Sequence, residues 1–177
     1  MVFYVGGNVT DAEGFRSSTP LVRIDPVRHG LLDRQAAPAY DGAAAWGGFE
    51  EPQAVFLRRC GLACPERSRQ AHGGSFAAVI RSDGPARWPL LFTVGLPHRL
   101  DCFLRADRPT QATLALEGRF DGTPIRREQM VSVGGAWTAA ALEISLPTAC
   151  RAELAFAVRL PKDSQILLDD VRFVPVR

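Results

Sequence analysis

The chain has 177 residues, 46% of them hydrophobic, which is enough apolar side chain to pack one domain of ordinary size. Its formal net charge is +2, with arginine and acidic residues interspersed and no basic run, so nucleic acid is not expected as the partner. No stretch reaches the roughly 18 apolar residues of a membrane-spanning helix, so no membrane span is expected either.

Lys162 is the only lysine and Asn8 the only asparagine, which reads as the coding bias of a GC-rich genome. The start, "MVFYVGGNVTD", lacks the charged opening and long apolar run of a signal peptide. The sequence is therefore read either as a cytoplasmic protein or as a piece of a larger, secreted one.

Residues 1–45 read as an N-terminal extension or linker. "FYVGG" and "LVRIDPV" are short strand candidates, and the Ala-, Gly- and Pro-rich "HGLLDRQAAPAYDGAAAWGG" reads as loop. The main domain is placed at 46–177. "AVFLRRCGLACPERSRQ" fits a short helix or a strand equally well. "SFAAVIRS" and "WPLLFTVGLP" follow as strands, the second closed by Gly95 and Pro97. "HRLDCFLRAD" alternates, with Leu100, Cys102, Leu104 and Ala106 on one face and Asp101, Phe103, Arg105 and Asp107 on the other. "QATLALEGRF" alternates through Leu114 and Leu116, "FDGTP" is a turn, and "REQMVSVGGAW" holds another short strand.

"WTAAALEISLP" points Leu142, Ile144 and Leu146 one way, and "RAELAFAVRLP" does the same with Leu154, Phe156 and Val158. "SQILLDDVRFVPV" comes last. About eight strands separated by turn signals, with no long helix between them, predict an all-β antiparallel sandwich of the jelly-roll type. In the last strand the alternation puts Asp169 on the inward face with Val171 and Phe173, and Asp170 on the solvent side. An inward carboxylate needs a cation or N–H groups for company.

Four cysteines leave two disulfides or four thiols open, and Cys102 and Cys150 read as small buried side chains. Cys60, Cys64 and His72 lack a fourth ligand at a useful spacing, which argues against zinc. His29 and His98 have no nucleophile beside them. Adjacent strand carboxylates point to opposite faces, so the Asp169–Asp170 pair cannot by itself act as the acid and base of a glycosidase.

Four segments in order, "GGFEEP", "AHGGSFAAVI", "HRLDCFLRAD" and "AWTAAALEISLP" with "ILLDDVRFVPV", resemble the landmark strands of one group of carbohydrate-binding modules. These are the galactose-binding-like jelly rolls of families four, nine and twenty-two. The likeness spans residues 46 to 177. It departs from the group where an aromatic is expected: Cys102-Phe103 replaces an aromatic pair, and Ala140 stands at another such position.

The resemblance implies a non-catalytic module that binds a polysaccharide or glycan and positions an attached catalytic domain. It also implies a structural calcium held by Glu50, a backbone carbonyl near Gly74, and Asp169 or Asp170. On the outward face, Phe103, Arg105 and Asp101, with Trp88 from "ARWPLLF", are the expected carbohydrate-binding residues: aromatics stack on sugar C–H groups and guanidinium groups bind hydroxyls. Trp137 is assigned to the core and so left out of the site. The alternative is a structural or protein-interaction sandwich of a larger carbohydrate-active protein, without sugar binding of its own.

Overall fold

The computed structural model describes residues 43, 46–84 and 86–176, together with the backbone of four short strands near the start of the chain. The chain divides into two compact units, Met1–Ala39 and Tyr40–Arg177. In the first, β1 (Phe3–Val5) pairs antiparallel with β4 (Val22–Ile24), and β2 (Asn8–Thr10) with β3 (Arg16–Ser18). The strands expected in "FYVGG" and "LVRIDPV" are thus partners. The loop expected before residue 46 lies, apart from Ala43, outside the described residues.

The second unit opens with the helix that the sequence left undecided, α1 (Glu51–Arg59). Glu50 caps it in a reciprocal box with Gln53, the Glu50 N–H donating to Gln53 Oε1 at 2.9 Å. Pro52 sits in the first turn, where its missing N–H costs nothing, and Arg58 and Arg59 offset the dipole in the last. Ala54 and Leu57 are its buried face.

The remaining strands are β5 (Glu66–Ser68), β6 (Ala77–Arg81), β7 (Arg87–Pro89), β8 (Pro97–Arg105), β9 (Thr110–Phe120), β10 (Thr123–Val133), β11 (Thr138–Ser145), β12 (Ala152–Arg159) and β13 (Gln165–Pro175). They form two antiparallel sheets, β10-β9-β12-β7 and β11-β8-β13-β6-β5. This is the predicted sandwich. The alternating residues read from the sequence on β8, β9, β11 and β12 face the shared core as expected: Leu100, Cys102, Leu104, Leu114, Leu116, Leu142, Ile144, Leu154, Phe156 and Val158 are all buried in it.

Four local expectations fail. The strand read as short in "REQMVSVGGAW" is the end of an eleven-residue one, because β10 pairs with β9 from Thr123, through Pro124, to Val133. "WPLLFTVGLP" is a strand only at its start, because β7 stops at Pro89 and the chain then loops to Gly95, where φ is +77°. Cys150 is exposed, held by its N–H to Asp121 Oδ1 at 3.1 Å; Cys102 is buried as expected, and burial pushes its thiol up to about 12. The last strand does not alternate throughout. Asp169 pairs with Phe103 while Arg172 pairs with Asp101, so β13 carries one extra residue against β8. Asp170 fills that bulge with a left-handed φ of +49°.

Candidate functional site

The bulge decides what the outer face of the five-stranded sheet looks like. Before it, Asp169 is in phase with Leu167 and lies across from the outward Phe103; after it, Val171 and Phe173 are in phase with the core. Asp169 is therefore not an inward residue. It is fully buried because the 72–76 segment folds over it. Asp169 Oδ2 accepts the backbone N–H of His72 at 2.7 Å and of Gly73 at 3.1 Å, and Oδ1 accepts that of Asp170 at 2.8 Å. Burial pushes its carboxyl above the usual carboxylate range; the three amides oppose that rise and the Asp170 charge adds to it.

Glu50 holds the other end of the same segment. Its Oε1 accepts the N–H of Ser75 at 2.7 Å and of Phe76 at 3.2 Å. Gly74 lies between, at φ +65°, and a Cβ there would come within 2.2 Å of Glu50 Oε1, so only glycine fits. Asp170 takes the His72 ring, Oδ2 to Nδ1, at 2.7 Å. Three carboxylates thus fix one loop across the sheet.

The loop seats His72 on Phe103. The rings stack with centroids 3.5 Å apart and planes 12° from parallel, and Trp137 meets His72 edge-on at 5.7 Å. Trp137, just before β11, is only partly buried, packed on Ala77, Val79 and Leu167 on the outer side of the sheet. Its assignment to the core is corrected: it belongs to this second, outer cluster. His72, Phe103 and Trp137 make a ridge across the face, and one side of the Phe103 ring is already occupied by a protein ring.

A hollow of about 590 Å³ on this face is lined by the small Ala139 and Ala141 together with Phe103, Asp101, Arg99 and Arg172, and reaches His72 and Asp170. Arg99 Nε donates to Asp101 Oδ1 at 2.8 Å. Past the ridge, a second hollow of about 650 Å³ is lined by Arg105, Ser68, Gln70, Asp107 and Arg108. The expected site residues Asp101, Phe103 and Arg105 therefore share the outer face of β8, but Asp101 and Arg105 open into different hollows.

Trp88 does not join them. It is fully buried, stacked on Trp46 with centroids 5.2 Å apart and near Phe156, and its Nε1 donates to the Ala63 carbonyl at 2.9 Å. On β7 of the other sheet its side chain fills the core, which corrects its assignment to sugar binding. Trp46, also buried, is its partner there.

The calcium expectation requires Glu50, Asp169 or Asp170, and a Gly74 carbonyl to converge on one cation. The Asp169 oxygens and Glu50 Oε1 face N–H donors, and Asp170 faces a histidine ring. Among the described residues no group of three or more His, Cys, Asp or Glu side chains is arranged to hold a metal ion. The residues present do not fit a calcium cage; what they fit is a loop of amides.

The opposite outer face, on the four-stranded sheet, is covered largely by ion pairs. Buried Ala115, Ala155 and Ala157 lie under a chain of ion pairs running Arg87–Glu117–Arg159–Glu128–Arg126. Burial works against ionising Glu117, but hydrogen bonds from Arg159 and Arg87 prevail and hold it below its ordinary value.

No family model matches the chain, and no curated protein does. Solved structures match its fold. The CBM22-1 xylan-binding domain of Xyn10C from Paenibacillus barcinonensis aligns with a TM-score of 0.54 at 12% identity, over 63% of this chain and 80% of that one. A xylan-binding domain of CBM 22 aligns with a TM-score of 0.50 at 16% identity, over 64% and 82%. The CBM22-1 and GH10 modules of Clostridium thermocellum Xyn10B, complexed with xylohexaose, align with a TM-score of 0.51 at 12% identity, over 62% of this chain and 23% of that one. At such identities the likeness is one of fold: the chain has the jelly-roll sandwich of carbohydrate-binding modules, as its motifs indicated.

Proposed function

We propose that this chain is a non-catalytic glycan-binding module that places an attached enzyme on its polysaccharide, and that the outer face of the five-stranded sheet is its binding surface. The observation that carries this reading is the hollow beside Phe103. The small Ala139 and Ala141 in its lining leave room for a sugar ring, the edge of Phe103 offers apolar contact, and the Arg99–Asp101 pair offers donors and acceptors for hydroxyls. The matched folds include xylan-binding domains, which makes xylan the first polysaccharide to try. Tethering would raise the enzyme's local concentration at its substrate.

Affinity electrophoresis through gels containing xylan, mixed-linkage glucan or galactan tests the reading. Retardation by one of them, reduced by Asp101→Ala without a change in melting temperature, is expected. Free migration of the folded protein in every gel would overturn it.

A second reading, a sandwich that docks on a neighbouring domain, is favoured by the exposed Leu91, Val94 and Leu96 on the loop between β7 and β8. Leu91→Ser would then uncouple the melting of a covalently attached domain and leave sugar retention unchanged.

A further inference from the structure

We infer that the outer face carries a second glycan subsite, centred on Arg105, so that the ligand is an extended chain crossing the ridge of His72, Phe103 and Trp137. The inference rests on the glycan-binding reading and adds to it the length and polarity of the ligand.

Two hollows of similar size, about 590 and 650 Å³, open on one sheet face. Asp101 lines the first and Arg105 the second. They are four residues apart on the same side of β8, roughly 13 Å along the strand. A single sugar ring therefore serves one hollow or the other, and only a chain reaches both.

Two arginines that line the second hollow, Arg105 and Arg67, each carry a buried nitrogen without a hydrogen-bond partner among the described residues, and Arg67 is already paired with Glu51 through its other Nη. In Arg105 that nitrogen is Nε, and its Nη2 comes only within 4.0 Å of Asp107. A buried N–H without an acceptor is costly, and a small turn of the guanidinium towards an oxygen in the hollow relieves it. The lining defines that oxygen. Glu66, Asp107 and Asp163 oppose the charges of Arg67, Arg105 and Arg108, so the hollow is balanced in charge and would repel as much of an anion as it attracts. Uncharged hydroxyls, which both accept from arginine and donate to aspartate, suit it. Ser68 and Gln70 add neutral partners to the lining.

The subsite is tested by calorimetric titration of the wild type and of Arg105→Ala with xylobiose and xylohexaose. The hexamer should bind the wild type at least about tenfold more tightly than the dimer, and Arg105→Ala should remove most of that gain. Arg105→Lys, which keeps the charge and loses the Nε donor, should behave like the alanine variant, with an unchanged melting temperature in both. Equal affinity for dimer and hexamer, or a full hexamer gain in both variants, would overturn the subsite. The glycan-binding reading would survive those results, because Asp101→Ala would still weaken retention in the xylan gel. Absence of retention in every polysaccharide gel would remove both.

Discussion

Asp169 Oδ2 and the backbone N–H of His72, 97 positions apart in sequence, are joined by a 2.7 Å hydrogen bond that ties the last strand to the loop lying over it. The same oxygen takes Gly73, and the other oxygen takes Asp170. Replacing Asp169 by alanine leaves three amides without their acceptor, and should cost about 3 kcal/mol in urea unfolding at neutral pH. A loss below the error of that measurement would mean the loop is not held there.

The same residue has a signature in pH. Burial raises the folded-state value of its carboxyl above the unfolded one, so its contribution to stability is most favourable below the unfolded value and is lost as pH rises through the folded value. Asp169→Asn removes that titration. The stability of the wild type relative to the asparagine variant should therefore increase as pH is lowered from 7 towards 4. A constant difference across that range would contradict the raised value.

Because the carboxylates of Glu50, Asp169 and Asp170 are committed to the loop, chelation should not matter. The melting temperature is expected to be the same in EDTA as in millimolar calcium. A fall in EDTA that calcium restores would show that a cation shares these oxygens.

His98 is fully buried, stacked on Phe173 with centroids 4.9 Å apart. Its Nδ1 lies 3.1 Å from the Leu96 carbonyl and its Nε2 accepts the Thr93 N–H at 3.4 Å, an arrangement suited to the neutral ring with the proton on Nδ1. Burial lowers its value, and the Leu96 contact only partly opposes this. A lowered histidine contributes stability that is present above the unfolded value, near 6.5, and is lost as pH falls through the folded value. Thermal melts of the wild type should therefore decline from pH 7 to pH 5 more steeply than those of His98→Gln. Parallel profiles would remove His98 as the cause.

Gly47 is close to the bulge as well. Its carbonyl accepts the Val171 N–H at 2.9 Å, and a Cβ on it would sit 1.9 Å from the Val171 carbonyl oxygen. Gly47→Ala cannot keep that contact and should lose about 3 kcal/mol in the same urea assay. The neighbouring Gly48, whose Cβ would meet only the flexible Gln53 side chain at 3.1 Å, should tolerate alanine better.

Most of the sandwich was legible because its strands have one face in a shared core, and a period of two is enough to read Leu100, Leu114, Leu142 or Phe156 as inward. What escaped was whatever breaks that period or arrives from another segment. One extra residue in β13 moved Asp169 to the outer face, and nothing local in "LLDDVRF" announces a bulge. Phe103 was placed on the correct side of β8, but the ring that covers it comes from His72 on a distant loop. Trp88 and Trp137 exchanged roles for the same reason. Trp88 sits in a strand of only three residues and Trp137 just before β11, too little alternation to assign a face, and the packing of Trp46 on one and of the outer cluster on the other decides the matter. Helix α1 was ambiguous because it buries only Ala54 and Leu57, too few to set a helical period, although the cap at Glu50 and Pro52 marked its start.

Strand β10 runs for eleven residues along the margin of its sheet, exposed from Thr123 to Arg127 and on to Met130 but for the half-covered Ile125. Among the described residues that border has no further strand beside it, and a border of that length is a template on which a second copy could continue the sheet, repetition of which would make a fibre. Arg126, Arg127 and Glu128 stand in the middle of it, and the outward pair is already bound into the ionic lattice on the adjoining alanine floor. An approaching copy would have to strip water from those charges before it formed its first backbone bond. The ionic lattice on this face is thus also a charged barrier against a neighbouring molecule extending the sheet.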